Sequence, residues 1–219
     1  MADITFLHTS PVHVATFDAL LKDVAPQLTA SHLVREDLLD RAQRQGLDDP
    51  GLLAGVRAAL QSAAANARVV VCSCSTIGGL AEATPAAVPI QRIDRAMADD
   101  AVQRGKPVLM VAALQSTLQP TAELLQSSAD RLGLPLVLRS LWVEAAWPLF
   151  ESGQRDAYLA SIAVAVRKHA EPGDTIVLAQ ASMAGAAELL ADTGLVVLSS
   201  PRLGLMNALR FCEPGQAPR

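Results

Sequence analysis

Short β-branched runs alternate with longer stretches of helical apolar spacing along the whole chain, and this rhythm restricts the fold more than any other feature. Ile4–His8 reads as a first strand. Val12 to Val24 follows with Val14, Phe17, Leu20, Leu21 and Val24 on one helical stripe. Leu28–Val34 reads as a strand, Leu52 to Ala65 as a helix, Val69–Cys72 as a buried strand and Ile77–Ala83 as a helix closed by Pro85. Pro89–Gln91 is a brief strand before a helix over Ile93 to Gln103. The second half repeats the pattern. Strands are expected at Pro107–Ala113, Leu136–Arg139, Thr175–Ala179 and Leu195–Leu198. Helices are expected at Leu118 to Leu132, which ends at Gly133, and at Arg155–His169, Met183–Leu190 and Pro201–Leu209. The Pro/Gly-rich tail Glu213–Arg219 reads as frayed.

Buried strands separated by helices imply an α/β architecture with mostly parallel sheet. A faint duplication runs through it. Val69–Thr76 and Thr175–Ser182 both pass from an apolar strand into small polar residues and then a helix, about half a chain apart. The simplest account is two pseudo-symmetric lobes, each a mostly parallel sheet flanked by helices. The division expected is 1–92 plus 199–219 for the first lobe and 93–198 for the second. Ligands of open α/β sheets bind at the carboxyl ends of strands, so a cleft shared by the two lobes is the expected site.

Composition narrows the function. With 51% apolar and 18% charged residues, the chain is not of the disordered class. Its net charge of −4, without a basic run or an aromatic-interleaved patch, argues against a nucleic-acid partner. The mean hydropathy of +0.28 is high, yet no apolar run is long enough for a membrane span. The opening MADITFLHTSPVH has neither a positive n-region nor a cleavable h-region, which makes a cytoplasmic location the default expectation. Three cysteines in a chain of this size do not suggest a disulfide framework. Aromatic residues are only 3%, so the core must be built from Ala, Val, Leu and Ile. A homo-oligomer, most simply a dimer, is expected on general grounds.

The polar residues that follow strands are the candidates for chemistry. Cys72-Ser73-Cys74-Ser75-Thr76-Ile77-Gly78-Gly79 leaves a buried strand and enters a helix. Main-chain N–H groups at that turn, with the Ser75 and Thr76 hydroxyls, form a carboxylate cradle. A thiol at Cys74 would feel the helix N-terminus, which favours thiolate. Cys72 lies within the apolar run and reads as packing, and Cys212 as inert. His8-Thr9-Ser10-Pro11 ends the first strand; His8 is an acid, a base, a carboxylate orienter or a structural histidine, and Ser10 either a ligand or the cap of the next helix. His13 and His169 read as superficial, and His32 as lying on or beside the second strand. In the second half, Ser116 and Thr117 follow one strand, and Gln180, Ala181 and Ser182 follow another. The chain has no G-x-G-x-x-G, no Walker lysine motif and no G-x-S-x-G elbow, and one C-x-C pair is weak support for zinc. No cofactor and no metal are expected.

In its order of motifs the chain resembles the aspartate/glutamate/hydantoin racemase superfamily, which also includes arylmalonate decarboxylases and maleate isomerases. The similar segments are Val69–Thr76, Ile4–Pro11, His32–Leu39 and Ala112–Thr121. The resemblance implies two α/β lobes, a cofactor-free site between them, a small carboxylate substrate and a catalytic cysteine at Cys74. It also implies a second cysteine after a strand of the second half, where this chain has Val177-Leu178-Ala179-Gln180-Ala181-Ser182. Gln180 stands in the cysteine's place. Two-face proton transfer needs a titratable group on each face, and an amide is not one. The function implied is therefore a cofactor-independent isomerase or racemase-like enzyme for a small carboxylic or amino acid, working through one thiol. The alternatives are a decarboxylase or lyase of a small carboxylate, and a non-catalytic small-molecule binding protein on the same scaffold.

Overall fold

The computed structural model describes residues 1–212; the tail expected to fray, Glu213–Arg219, lies outside the described residues. The described residues divide into two compact α/β units, one of residues 1–94 with 201–212, the other of residues 95–200.

Unit 1 is built from β1 (Ala2–His8), α1 (Val12–Val24), β2 (Ala30–Val34), α2 (Glu36–Gln45), α3 (Pro50–Ala64), β3 (Ala67–Cys72), α4 (Ser75–Glu82) and β4 (Ile90–Arg92). Its four strands are all parallel in the order β2-β1-β3-β4. The two-residue period of the strands splits the core into two layers. Leu7, Val70 and Cys72 pack with Leu38 of α2, with Leu52, Val56 and Leu60 of α3, and with Ile77 and Ala81 of α4. Ile4, Phe6, Val69 and Val71 point to the other face, against Phe17 and Leu21 of α1.

Unit 2 comprises α5 (Arg95–Gln103), β5 (Val108–Ala112), α6 (Gln115–Leu132), β6 (Leu138–Trp142), α7 (Trp147–Glu151), α8 (Arg155–His169), β7 (Thr175–Leu178), a run of 3-10 turns over Ala181–Thr193, and β8 (Val196–Ser199). Its sheet is also all parallel, in the order β6-β5-β7-β8. Relabelled from its own start, this is the second-first-third-fourth order of unit 1, so the duplication expected from the sequence is present as shared topology. Leu109, Val111, Ile176 and Leu178 pack with Tyr158, Ile162 and Val166 of α8. α6 ends at Gly133, whose φ of 66° is the left-handed conformation that a helix C-terminus commonly uses.

The last helix, α9 (Ser200–Leu209), returns the chain to unit 1, where Leu205 and Ala208 join the layer of Ile4 and Phe6. Gly204 permits this. A Cβ there would lie 2.0 Å from the main-chain oxygen of Ile93. Gly78 permits a second close approach, because its Cβ would lie 3.0 Å from Nε of Arg92. Arg92 and Asp94 are a buried pair, 4% and 0% exposed, joined by two hydrogen bonds of 2.7 and 3.1 Å.

Three sequence expectations need correction. The helix expected at Met183–Leu190 is part of the 3-10 run. The strand expected at Leu136–Arg139 runs instead over Leu138–Trp142, in register with β5. Ser10 does not cap α1, whose N-cap residue is Pro11 and which has no side-chain cap. Among the described residues no helix is long and apolar enough to cross a membrane.

Candidate active site

In each unit the first strand lies between the second and the third, so chain connections leave it in opposite directions. Such a reversal opens a crevice at the carboxyl ends of the two strands that flank it. In unit 1 these strands are β1 and β3, which deliver His8-Thr9-Ser10 and Ser73-Cys74-Ser75-Thr76. In unit 2 they are β5 and β7, which deliver Leu114-Gln115-Ser116-Thr117 and Gln180-Ala181-Ser182. The sequence candidates therefore fall at the switch point of their own sheet.

Cys74 is the N-cap residue of α4, with extended backbone, and is partly exposed. Burial raises its thiol above the ordinary value. The Thr9 hydroxyl and the main-chain amides of Ile77 and Thr76 oppose this by hydrogen bonding to the sulfur. The helix terminus acts in the direction expected from the sequence, but desolvation outweighs it. The resting group is thus a neutral thiol rather than the thiolate the sequence suggested. Cys72 is fully buried, and burial pushes its thiol up as well. Cys212 is 5% exposed, with its sulfur facing the main-chain oxygen of Asp3 at 3.7 Å.

Beside Cys74, Ser75 and Thr76 begin α4 and are 4% and 3% exposed. Ser75 Oγ is enclosed without a hydrogen-bond partner. Ser10 is half-buried.

His8 is fully buried and hydrogen-bonded at both ring nitrogens. Its Nδ1 lies 2.7 Å from Ser73 Oγ, and its Nε2 lies 2.9 Å from His32 Nδ1. His32 Nε2 in turn lies 2.9 Å from Asp18 Oδ1. A carboxylate only accepts, so His32 Nε2–H donates to Asp18. Ser73 Oγ also donates to the main-chain oxygen of Leu7 at 3.4 Å. The three rings of His8, His32 and Phe6 stack with centroids 5.1 to 5.6 Å apart. Burial, with His13 and His32 adding repulsion, pushes His8 down to about 3. His8 is therefore a neutral imidazole at physiological pH.

In unit 2, Thr117 is the third residue of α6 and is 1% exposed. Ser116 Oγ is enclosed without a partner. Gln180 is 8% exposed, and its Oε1 accepts from the main-chain amides of Ala113 at 2.7 Å and Leu114 at 3.1 Å. Ala181 is 7% exposed. Ser182 Oγ lies 2.8 Å from the hydroxyl of Tyr158, a fully buried residue of α8.

Sequence reasoning did not assign Thr9, Asp18, Ser73 or Tyr158. Thr9 lies in the His8–Pro11 turn, so its position is legible in the sequence but its aim is not. Asp18 and His32 meet only because α1 packs beside β2, and β2 pairs with β1 in the register Phe6 to His32. No group of three or more His, Cys, Asp or Glu side chains forms a metal-binding cluster among the described residues.

No protein-family model matches the chain, and no curated protein matches it. Solved structures do. An aspartate racemase of Picrophilus torridus superposes with a TM-score of 0.72 at 8% identity, over 96% of this chain and 93% of that one. A glutamate racemase of Bacillus anthracis superposes with a TM-score of 0.67 at 16% identity, over 95% of this chain and 82% of that one. Arylmalonate decarboxylase gives a TM-score of 0.55 at 16% identity, over 99% of this chain and 95% of that one. At these identities the likeness is one of fold, and it extends over nearly the whole chain.

Proposed function

We propose that the protein is a cofactor-independent isomerase or racemase-like enzyme acting on a small carboxylic or amino acid, with Cys74 as its proton-transferring residue. One observation carries this reading. Cys74 is a partly exposed thiol at the N-terminus of a helix, at the switch point of a parallel sheet, in a fold shared with aspartate and glutamate racemases. Ser75 and Thr76, with the first amides of α4, provide donors for a substrate carboxylate. In the reaction the Cα–H bond breaks, its proton passes to Sγ, and its electron pair moves into the carboxylate as an enediolate. Donors at the turn stabilise that developing charge. Reprotonation at Cα completes the exchange. A neutral resting thiol must first give its own proton to solvent before Sγ can take one from Cα, which limits the rate at neutral pH.

A second reading draws on the same sulfur. A thiol held protonated by burial is already an acid. In a decarboxylation the C–C bond to the departing carboxylate breaks, carbon dioxide leaves, and the electron pair remains as an enediolate. Cys74 Sγ–H then protonates Cα, and water restores the thiol. This route needs one thiol and one face, and the matching turn of unit 2 carries Gln180.

The test is solvent deuterium exchange at Cα, run over amino and hydroxy dicarboxylates, hydantoins and malonates with native protein and Cys74→Ser. Exchange or carbon dioxide release that disappears in Cys74→Ser supports an enzyme, and the product distinguishes the two reactions. Turnover that survives Cys74→Ser refutes the role of the thiol. Binding without exchange or carbon dioxide release leaves a small-molecule binding protein.

A further inference from the structure

Gln180 is held so that its amide can face a ligand in only one sense. The oxygen and nitrogen of a glutamine amide are distinguished by the groups around them. Here two main-chain N–H donors, those of Ala113 and Leu114, converge on one end at 2.7 and 3.1 Å. Two donors require an acceptor, so that end is Oε1. Nε2, with its two N–H groups, is then turned to the other side. Among the described residues no hydrogen bond from Nε2 to a protein acceptor is present. The residue is 92% buried, yet Nε2 is not among the enclosed atoms without a partner, so this donor still reaches solvent and a ligand acceptor can take the place of water there. The surroundings specify what kind of atom that is. The clamp ties Gln180 to the entrance of α6, an 18-residue helix whose N-terminus carries partial positive charge. Within the first turn of that helix, Ser116 Oγ is enclosed and unpartnered. Helix terminus and amide both favour an acceptor that is negatively charged.

We propose that Gln180 is a specificity-determining donor for a carboxylate oxygen. The clamp to Ala113 and Leu114 makes the residue a fixed hydrogen-bond donor with no titratable proton. This deepens, and rests on, the carboxylate reading of the site, but it does not require turnover. It also separates two roles that a simple truncation would confuse. Oε1 supports the loop after β5, and Nε2 receives the ligand.

Gln180→Glu separates them. One carboxylate oxygen can still accept from Ala113 and Leu114, while the other presents negative charge and no donor. The probe is malonate, with neutral malonamide as its uncharged counterpart. Binding is followed by amide NMR, including the side-chain NH₂ signals of Gln180, which Gln180→Glu removes and so identifies. The expected result is that malonate shifts those signals and malonamide does not. Gln180→Glu should keep the native spectrum around Ala113 and Leu114 and weaken malonate binding by about tenfold or more, the effect of losing one charge-assisted bond. Malonate that leaves the Gln180 NH₂ signals unmoved overturns the proposal, even if the variant fails to fold. So does a folded Gln180→Glu that binds malonate as tightly as the native protein. Failure of the Cys74 reading is a separate result, because it concerns exchange and carbon dioxide release rather than binding.

Discussion

Acidification should destabilise unit 1 through His8 before the carboxylates titrate. The imidazole is fully buried, and its protonation is pushed from 6.5 in the unfolded chain down to about 3 in the folded one. A histidine with a lowered folded pKa contributes its full stability above 6.5 and loses it as pH falls toward 3. In that window the unfolded state binds one more proton than the folded state, so stability falls by up to about 1.4 kcal/mol per pH unit. At pH 5 the loss attributable to His8 is about 2 kcal/mol, a sizeable part of the stability of an ordinary domain. The assay is urea denaturation at several pH values between 7.5 and 5, with amide exchange of β1 and β3 as the readout. Those strands belong to unit 1, whereas both tryptophans, Trp142 and Trp147, report on unit 2. His8→Asn is the control. It lowers stability at neutral pH, because the bonds to Ser73 and His32 are disturbed, but it removes the slope. If His8→Asn and native protein lose stability equally between pH 6.5 and 5, the slope comes from other groups and the buried neutral imidazole is not its cause.

Two further outcomes follow from close contacts in unit 1. Arg92→Met leaves the fully buried Asp94 without its partner and should cost about 3–5 kcal/mol, measured as a lower denaturation midpoint. Gly204→Ala places a Cβ against the main-chain oxygen of Ile93 and should cost roughly 3 kcal/mol by forcing α9 away, seen as a lower denaturation midpoint and faster amide exchange in β1.

Elements with a full apolar stripe were legible in the sequence. Val12–Val24 and Arg155–His169 have the bounds their periodicity indicated, because Phe17 and Leu21, and Leu159, Ile162 and Val166, do face a core. Helix α2 was not seen, since only Leu38 and Ala42 among its ten residues are buried and the rest read as a polar connection. Helix α7 was hidden by Pro148, which looks like a breaker but occupies the start of the helix, where its missing N–H costs nothing. At the candidate site, the turns were legible because small polar residues after an apolar run mark a strand end. The state of Cys74 was not. A helix N-terminus can be inferred from sequence, but the burial that overrides it depends on packing. The same holds for the bonds from Asp18 to Ser73, which join α1, β2, β1 and the end of β3 through strand order and register.

The return of α9 to the first sheet sets an order on synthesis. Residues 95–200 are contiguous, so unit 2 has its whole sequence as soon as they have been translated. Unit 1 does not. Its β1 is made at the start, yet Leu205 and Ala208, which cover the layer of Ile4, Phe6 and Val71, come only after all of unit 2. During that interval one face of the first sheet has α1 but lacks its second helix, and its apolar strip is open to wrong partners. The bonds from Arg202 to Asp23 and from Asn207 to Gln91 are made only when α9 arrives. A stall or cleavage between β8 and α9 would therefore leave unit 2 whole and unit 1 unfinished, although every strand of both sheets had already been made.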